Sequence, residues 1–407
     1  MTLDLTPPQA LLLDPRDLVV PEGHGLRNQG PLVRVVLDGG VEVWGTGDYA
    51  TARTVLTHPD FRKSPSHWRA YSDGEVPADW GLLKLITLAG MLNADGTDHT
   101  RLRSLVGKAF TPRRIEELRP YVEETVRGLI SGLAAERGPV DLRESFALPL
   151  PMTLICRLFG LDPARSEQLA EDFAALHDSR RTPSQVEAAG AGLLSVISEL
   201  ITAKTAAPDD DLTSALIAAH SDGQGSLSEK ELVETLLLFL FAGHETTANL
   251  IGNAVVNLVG HPEQLARARE VSAWPAVVNE TLRRDSPVRT VMFYYAAKDV
   301  DLSGVEIKAG EAVVIHVAAT GRDSRQFGSD ADEFDILREA AAQHLGFSHG
   351  VHYCIGAPLA RMMATTALQA LFDRFDVDLA GDLEPVPSYS SNAAQRLPVV
   401  LRSRTGV

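Results

Sequence analysis

The sequence predicts a mostly helical, single-domain protein with a smaller β-region, and three observations lead to this fold class. Residues 115–204 carry apolar side chains at helical spacing, with breaks at Gly and Pro. A strongly apolar helix is predicted over 228–259, because Ser228 and Glu231 form a capping box at its start. Residues 32–44 alternate valines with other residues around an Asp-Gly-Gly turn, which is typical of a hairpin.

The remaining elements follow in chain order around these three. Residues 1–30 are expected to be an N-terminal extension, and a helix is predicted over 47–58, ending before Pro59. Residues 62–95 are polar, aromatic and broken by Pro and Gly, so they are predicted to be a long functional loop. The elements predicted near the C-terminus are a strand within 287–299, a helix over 355–372 and a final strand over 397–401.

Composition and charge restrict the possible function classes. The 407 residues are 44% hydrophobic and 23% charged, which is typical of a globular protein with a large core. A net charge of −16 argues against nonspecific binding to nucleic acid. Two cysteines, Cys156 and Cys354, offer no disulfide framework and suit a reducing compartment. No signal peptide and no membrane anchor is visible, so we expect a cytoplasmic protein that does not bind a membrane.

Cys354 has three interpretations. Cys156, by contrast, lies in an apolar helical run and is predicted to be an ordinary residue of the hydrophobic core. Cys354 ends the run Phe347-Ser348-His349-Gly350-Val351-His352-Tyr353-Cys354 ahead of a predicted helix. A buried cysteine without a partner is common, but it does not explain these flanking residues. A zinc site with His349 and His352 would lack a second ligand cluster. An axial thiolate to haem iron is the third interpretation, because the start of a helix stabilises a thiolate.

The run resembles the haem-binding loop of the cytochrome P450 family, Phe-Gly-x-Gly-x-His-x-Cys-x-Gly, with Ser348 where the family prefers Gly. The resemblance implies the cytochrome P450 fold and a haem-thiolate loop over 345–356, with haem b bound through Cys354. The other cofactor contacts that it implies here are Phe347, His352 and Gly356. The implied activity is that of an oxidoreductase, which inserts one oxygen atom from O2 into a hydrophobic natural product or steroid-like molecule. Electrons would come from NAD(P)H through a ferredoxin reductase and a ferredoxin.

The predicted helix over 228–259 carries polar residues in its apolar middle, in the run Phe241-Ala242-Gly243-His244-Glu245-Thr246-Thr247. A metalloprotease motif is excluded, because Ala248 stands where the second histidine is required. Threonines that bond back to the preceding turn remain an alternative. The run also resembles the family's Ala/Gly-Gly-x-Asp/Glu-Thr-Thr, in which the threonine opens a bulge for oxygen. The implied catalytic residues are Thr246 and Glu245, which relay protons, and the implied haem contacts are Ala242 and Gly243.

His99 and Arg103 are four residues apart and therefore share a helix face. The family uses His-x-x-x-Arg here to hold the haem propionates, and the resemblance implies the same role. Further cations surround the pair, and they are either a solvated helix face or a docking site for an acidic ferredoxin. These cations are Arg101, Lys108, Arg113 and Arg114.

A Glu-x-x-Arg pair, Glu280 and Arg283, is a weak signal alone. Its position between the other motifs resembles the family's order, which implies a buried structural ion network with Arg338. The family also carries a second propionate-binding arginine on the strand after this pair, and Tyr294 stands at that position. Arg289 is an alternative if the strand shifts.

The resemblance also implies a hydrophobic substrate pocket, roofed by residues 68–88, and a monomeric enzyme. The implied pocket residues are Phe239, Leu240, Val291, Met292, Asn392 and Ala393. Two other functions remain open. A peroxide-dependent or non-oxygenating haem-thiolate enzyme is opposed by the intact Glu245-Thr246 pair, and a haem-binding sensor is opposed by a length that leaves no room for an output domain.

Overall fold

The computed structural model describes residues 10–87, 90–107, 110–162, 165–177, 181–221 and 227–404. The mainly helical fold with a smaller β-region is confirmed. The helices are α1 (Val19–Gln29), α2 (Tyr49–Thr57), α3 (Arg69–Ser72), α4 (Leu83–Thr87), α5 (Gly96–Gly107), α6 (Pro112–Glu117), α7 (Arg119–Ala135), α8 (Pro149–Phe159), α9 (Ser166–His177), α10 (Pro183–Ala206), α11 (Leu212–Ser221), α12 (Glu229–Gly260), α13 (Pro262–Glu270), α14 (Trp274–Arg284), α15 (Val317–Thr320), α16 (Ser324–Phe327) and α17 (Ala357–Arg374). The strands are β1 (Leu11–Leu12), β2 (Val33–Leu37), β3 (Val41–Thr46), β4 (Phe61–Arg62), β5 (Val140–Asp141), β6 (Val291–Ala296), β7 (Val300–Leu302), β8 (Val305–Ile307), β9 (Ala312–Ile315), β10 (Phe375–Leu379) and β11 (Pro398–Ser403).

The largest sheet has the strand order β1-β2-β3-β9-β6-β4 and contains the predicted hairpin as β2 and β3. Val35 lies opposite Val43 in this antiparallel pair, and both side chains are buried. The turn needs its two glycines, because Gly39 and Gly40 both have a φ of 74°. Period-two alternation therefore identified the hairpin correctly.

From residue 10 onward, the expected N-terminal extension is part of the fold, and this corrects the prediction. Strand β1 pairs in parallel with β2, and α1 packs against α15. Glu22 of α1 is buried and forms an ion pair with Arg289, with 2.6 Å between Oε2 and Nη2. Strand β1 has only two residues, which is too short for a periodicity signal in the sequence.

Part of residues 62–95, the segment predicted to roof a substrate pocket, packs against the large sheet. Trp68 and Trp80 are buried, and each contacts the ring of Phe293, with centroids 5.5 and 5.8 Å apart. These aromatic side chains therefore pack against strand β6 of the large sheet. Leu88, at the end of the predicted roof, lies outside the described residues.

Helix α12 runs through the helical region and separates two hydrophobic clusters. Its start has the predicted capping box, in which Ser228 and Glu231 each accept a backbone N–H from the other. Leu236 packs in a cluster with residues of α8, α10 and α11, whereas Leu250 and Ala254 pack in a cluster with residues of α7, α14 and α17. Residues of α12 therefore face both halves of the core.

Among the described residues, the helix Pro183–Ala206 is long and apolar enough to cross a membrane by length and composition. This is α10, which packs against α9, α11 and α12. Its buried positions include Leu193 and Ile197.

Candidate functional site

A cavity of about 320 Å³ lies between α12, α8 and the loop that precedes α17. Side chains of that loop and of α5 line one part of it, and apolar side chains line the rest. Nine of the predicted haem contacts and catalytic residues line it: Cys354, His352, His99, Arg103, Phe347, Gly356, Ala242, Gly243 and Thr246. The structure therefore brings motifs from three separate parts of the chain to one cavity.

The backbone around Cys354 holds its sulfur at the cavity wall. The Cys354 N–H donates to the carbonyl oxygen of Phe347 at 2.9 Å, which closes the loop, and α17 begins at Ala357. Burial raises the pKa of the Cys354 thiol, whereas the N–H groups of Gly356 and Ala357 and the charge of Arg103 oppose that increase. These same groups stabilise negative charge on sulfur, which a thiolate ligand needs.

The loop before Cys354 is sterically demanding. A Cβ at Gly346 would lie 2.9 Å from the Leu282 carbonyl oxygen, and one at Gly350 would lie 2.8 Å from the Leu56 carbonyl oxygen. Ser348 has a φ of 63°, in the left-handed region that favours glycine. Serine at this position therefore adopts the conformation that the family's glycine would adopt more readily.

His99, Arg103 and His352 form a cluster suited to carboxylates. The two imidazole rings lie 4.1 Å apart, and Arg103 Nη2 donates to the Tyr353 carbonyl oxygen at 2.5 Å. Burial lowers the pKa of His352 to about 3, and it also lowers the pKa of His99. His99 Nε2 is buried, with no hydrogen-bond partner in the described part of the chain. An acidic ligand would supply that partner, so this cluster fits the carboxylates of a haem.

Helix α12 is continuous, and the bulge expected in it is absent. Thr246 Oγ1 donates to the Ala242 carbonyl oxygen at 2.7 Å, and Thr247 Oγ1 donates to the Gly243 carbonyl oxygen at 3.2 Å. These are the bonds to the preceding turn that the alternative interpretation described, and they leave the helical ladder intact. A Cβ at Gly243 would lie 3.3 Å from Ile155 Cδ1, so this glycine allows α12 and α8 to approach closely.

Glu245 does not line this cavity, although the adjacent Thr246 does. Its carboxylate is buried and faces Arg143, with 3.4 Å between Oε1 and Nη2. Arg143 Nη1 also donates to Asn249 Oδ1 at 2.5 Å. Arg143 and Asn249 line a second cavity of about 270 Å³. The acid and the alcohol of the motif therefore face different surroundings. Sequence analysis missed Arg143, because nothing local associates it with Glu245.

The structure brings Glu280, Arg283 and Arg338 together beside the chain that leads to the cysteine loop. Arg283 Nη2 and Nε donate to the two oxygens of Glu280 at 2.6 and 2.8 Å, and both side chains are fully buried. Arg338 Nε lies 3.5 Å from Glu280 Oε1. Arg283 also donates to three backbone carbonyl oxygens, those of Gly321, Ala331 and Glu333. The group thus ties α14 to the chain that leads to the cysteine loop.

Two of the predicted pocket residues line the cavity and four do not. Phe239 and Val291 line it. Leu240 is fully buried in the hydrophobic cluster beside α12, on another face of the helix from Phe239. Met292 packs with the aromatic side chains on the other side of β6, because the register of β6 against β9 shifts between residues 291 and 294.

Asn392 and Ala393 require a separate correction, because they line the second cavity. The Asn392 side chain donates to the Ser286 carbonyl oxygen at 2.9 Å, and the Asn392 carbonyl oxygen accepts from Asn253 Nδ2 at 2.9 Å. The first contact attaches this turn to the chain that follows α14, and the second attaches it to α12.

Several apolar cavity residues were not predicted. Ile155, Leu158 and Phe159 come from α8, whose apolar run was read as core, and Phe110 follows α5. The others include Pro151, Leu154, Leu238, Leu250 and Val288, whereas Met91 and Leu92 belong to residues 62–95, the loop that the resemblance implies to roof the pocket. Cys156 belongs to the same run but is buried away from the cavity, and burial raises its pKa to about 11.

Tyr294, which stands where the resemblance implies a second propionate-binding arginine, lies beside the cavity and does not line it. Tyr294 is buried, and its ring lies edge-on to His352 with centroids 6.4 Å apart. Burial raises the pKa of Tyr294, and the nearby Ser348 side chain opposes that increase. Arg289 does not substitute here, because it binds Glu22 and the carbonyl oxygens of Asp14, Pro15 and Ser388.

The helical fold and the thiol at this cavity define the class of a thiolate-ligated haem protein. Known proteins support this assignment. The cytochrome P450 family profile matches residues 185–273 and 273–401. The 2-hydroxy-5-methyl-1-naphthoate 7-hydroxylase of Streptomyces carzinostaticus is 40% identical over 402 residues, which cover 94% of this chain and 97% of that protein. The cytochrome P450 monooxygenase PikC of Streptomyces venezuelae is 40% identical over 364 residues, or 88% of this chain and 84% of that one.

Solved structures agree with the sequence relatives. A structure described as "Testerone bound CYP154C4" from Streptomyces sp. ATCC 11861 superposes with a TM-score of 0.94 at 39% identity, covering 98% of this chain and 100% of that one. This chain belongs to the cytochrome P450 family. It is an oxidoreductase, a P450 monooxygenase with a haem cofactor, for which O2, a hydrophobic substrate and electron-donating partners are required.

Proposed function

We propose that this chain is a haem b monooxygenase that hydroxylates an uncharged polycyclic natural product or steroid. One observation carries the proposal: the Cys354 thiol and the Thr246 hydroxyl line the same cavity, which is otherwise mostly apolar. When bound, the haem would supply the activation of O2 and the oxygen transfer. The protein would supply the axial sulfur, the proton path and the orientation of the substrate.

Each motif residue has a defined task in this proposal. Cys354 would bind the iron, and the backbone N–H groups of Gly356 and Ala357 would stabilise negative charge on its sulfur. His99, Arg103 and His352 would hold the haem carboxylates. Phe347, Ala242 and Gly243 line the space between the cysteine loop and α12. This assigns the haem to the part of the cavity nearest α17.

Thr246 and Glu245 would move protons. The Thr246 hydroxyl donates its hydrogen to a carbonyl oxygen of its own helix, so its oxygen can accept a hydrogen bond from a water in the cavity. Glu245 lies on the side of Arg143, with which it forms an ion pair. Proton transfer from the acid to the alcohol requires the Glu245 side chain to leave Arg143, or a water chain between them.

The substrate class follows from the other part of the cavity. Phe110 and Phe239 are stacked there with ring centroids 5.0 Å apart, and Phe159 lies beside Phe239. The described residues that line this part of the cavity have aromatic or aliphatic side chains, apart from Thr246 and Thr247. Such a surface binds flat, uncharged ring systems well. The names of the relatives, a naphthoate hydroxylase and a testosterone complex, agree with this class.

The electron partners are proposed to be a ferredoxin and a ferredoxin reductase that uses NAD(P)H, acting on a monomer in the cytoplasm. The cations near α5 and α6 support a docking site for an acidic protein. Arg101 already pairs with Glu231, and Arg113 pairs with Glu117 at 2.9 Å. Arg114 is exposed, and Lys108 lies outside the described residues.

Two measurements test the proposal. The reduced protein with CO should show the absorption band of a thiolate-ligated haem, which establishes the ligand. Turnover of a panel of steroids and polycyclic aromatics with ferredoxin, reductase and NADPH should then exceed turnover with peroxide alone. Faster reaction with peroxide, or a thiolate spectrum without any NADPH-dependent product, would instead support a peroxide-dependent enzyme or a haem-binding sensor.

A further inference from the structure

Among the described residues that line the cavity there is one arginine, Arg103, although haem carries two carboxylates. Arg103 approaches from α5, and Tyr294 occupies the facing strand. The phenol of Tyr294 is neutral at pH 7, because burial raises its pKa. Arg289, the nearest arginine in the sequence, is already bound to Glu22. A carboxylate on this side needs positive charge from elsewhere, since an uncompensated buried charge is costly.

Lys63 brings a positive charge to this point from behind the strand. It follows β4, which pairs with β6, and its side chain is buried. Its Nζ donates to the carbonyl oxygens of Met292 and Phe293 at 2.6 and 2.9 Å. The same Nζ lies 4.7 Å from the centre of the Tyr294 ring. Lys63 therefore contacts the three residues at which β6 shifts register.

The surroundings of Lys63 leave its charge incompletely balanced. Burial lowers the pKa of Lys63 to about 7, and the charge of Asp95 partly opposes this. The Asp95 carboxylate is itself occupied by the backbone N–H groups of Lys63 and Ser64, each at 2.9 Å. A buried ammonium without an anionic contact is stabilised by any additional negative charge nearby.

We propose that Lys63 creates a positive electrostatic potential at the haem carboxylates, acting through strand β6 and the ring of Tyr294. An arginine at position 294 would supply the same potential by direct contact. Lys63 is a positioning residue here, since it lies behind the cavity wall. This inference rests on the proposed haem site. It also gives the buried lysine a function, whereas a purely structural role would need only two hydrogen-bond donors for the two carbonyl oxygens.

The experiment compares variants that keep the donors but remove the charge. Lys63→Gln retains an amide that can donate to both carbonyl oxygens, and Lys63→Met removes donors and charge together. The readouts are the rate of haem transfer to apomyoglobin and the reduction potential of the iron. Lys298→Met is the matched control, because Lys298 pairs with Asp60 close to the same strands but is exposed. Wild-type protein with a thiolate spectrum is the starting point, so failure of the haem site itself would be seen first.

We expect Lys63→Gln to lose haem roughly tenfold faster and to have a lower reduction potential, because removal of a nearby positive charge favours the oxidised iron. Tyr294→Arg should restore slow haem loss in the Lys63→Gln background, and it should add little in wild-type protein. Lys298→Met should behave as wild type. The proposal is overturned if Lys63→Gln keeps haem and potential unchanged. It is also overturned if Tyr294→Arg fails to restore haem retention, which would show that Lys63 only supports the strand. If Lys63→Gln does not fold, the same comparison is made with Lys63→Met.

Discussion

Replacement of Arg283 by lysine tests whether the buried ion network carries the stability of the region around the cysteine loop. Arg283 makes five hydrogen bonds, two to Glu280 and three to backbone carbonyl oxygens. Lysine has the same charge but only three N–H donors, so at least two acceptors lose their partner. A hydrogen bond to a charged group contributes about 1.5–3 kcal/mol. We therefore expect Arg283→Lys to lower the free energy of unfolding by about 3–6 kcal/mol.

The total stability of a folded protein is about 5–15 kcal/mol, so this loss is a large fraction of it. Arg283→Met would additionally leave Glu280 as a buried carboxylate that keeps the backbone N–H of Asp335 at 2.9 Å and the 3.5 Å contact to Arg338 but loses its closest cation, and we expect no folded protein from that variant. The assay is urea unfolding followed by fluorescence, which gives the free energy of unfolding from the midpoint and slope. Haem content after purification reports the same loss independently.

Arg119→Lys is the matched control for this prediction. Arg119 at the start of α7 also pairs with a glutamate three residues away, Glu116 at the end of α6, but both side chains are exposed. Exposed pairs contribute little to stability, because water and salt screen their charges. An Arg283→Lys variant within 1 kcal/mol of wild type, or an Arg119→Lys variant with an equal loss, would refute the reasoning from burial.

Three further predictions concern the cavity. Thr246→Ala should bind haem and substrate and keep consuming NADPH, but product per NADPH should fall and hydrogen peroxide should rise, because proton transfer fails. Oxidation with iodosylbenzene, which needs no proton relay, should be spared, and full coupling with O2 would contradict the relay. Arg103→Ala should release haem to apomyoglobin faster, at a cost of a few kcal/mol in binding, and unchanged retention would place the carboxylates elsewhere. Cys354→Ala should abolish the thiolate spectrum of the reduced CO complex, whereas Cys156→Ser should preserve it, and the reverse result would show that the ligand is misassigned.

The motifs could be predicted from the sequence because each one depends on local spacing. His99 and Arg103 share one face of α5, and the Cys354 loop needs only its own glycines and the start of α17. The pairing of Glu280 with Arg283 likewise follows from their positions on α14. Such signals do not require knowledge of what lies across the cavity.

The residues that were misplaced or missed depend on contacts between distant segments. Met292 was assigned to the cavity by resemblance, together with its neighbour Val291, and the shift in register after Val291 leaves it with the aromatic side chains on the other side of β6. Arg143 meets Glu245 only because the π-helical turn before α8 packs against α12. Asn392 faces the second cavity because its side chain binds the chain that follows α14. No periodicity or short motif carries this information.

The two positions at which the sequence departs from the family pattern on the haem side prove to be neighbours. Ser348 replaces a glycine in the cysteine loop and Tyr294 replaces an arginine on β6, and the Ser348 side chain lies near enough to the Tyr294 phenol to oppose the increase in its pKa. Ser348 adopts a left-handed φ that costs a serine about 1 kcal/mol or more. Restoring arginine alone at position 294 would leave that cost in place. Because the Nζ of Lys63 lies 4.7 Å from the centre of the Tyr294 ring, the three residues form one unit, and the effect of changing any of them depends on the other two.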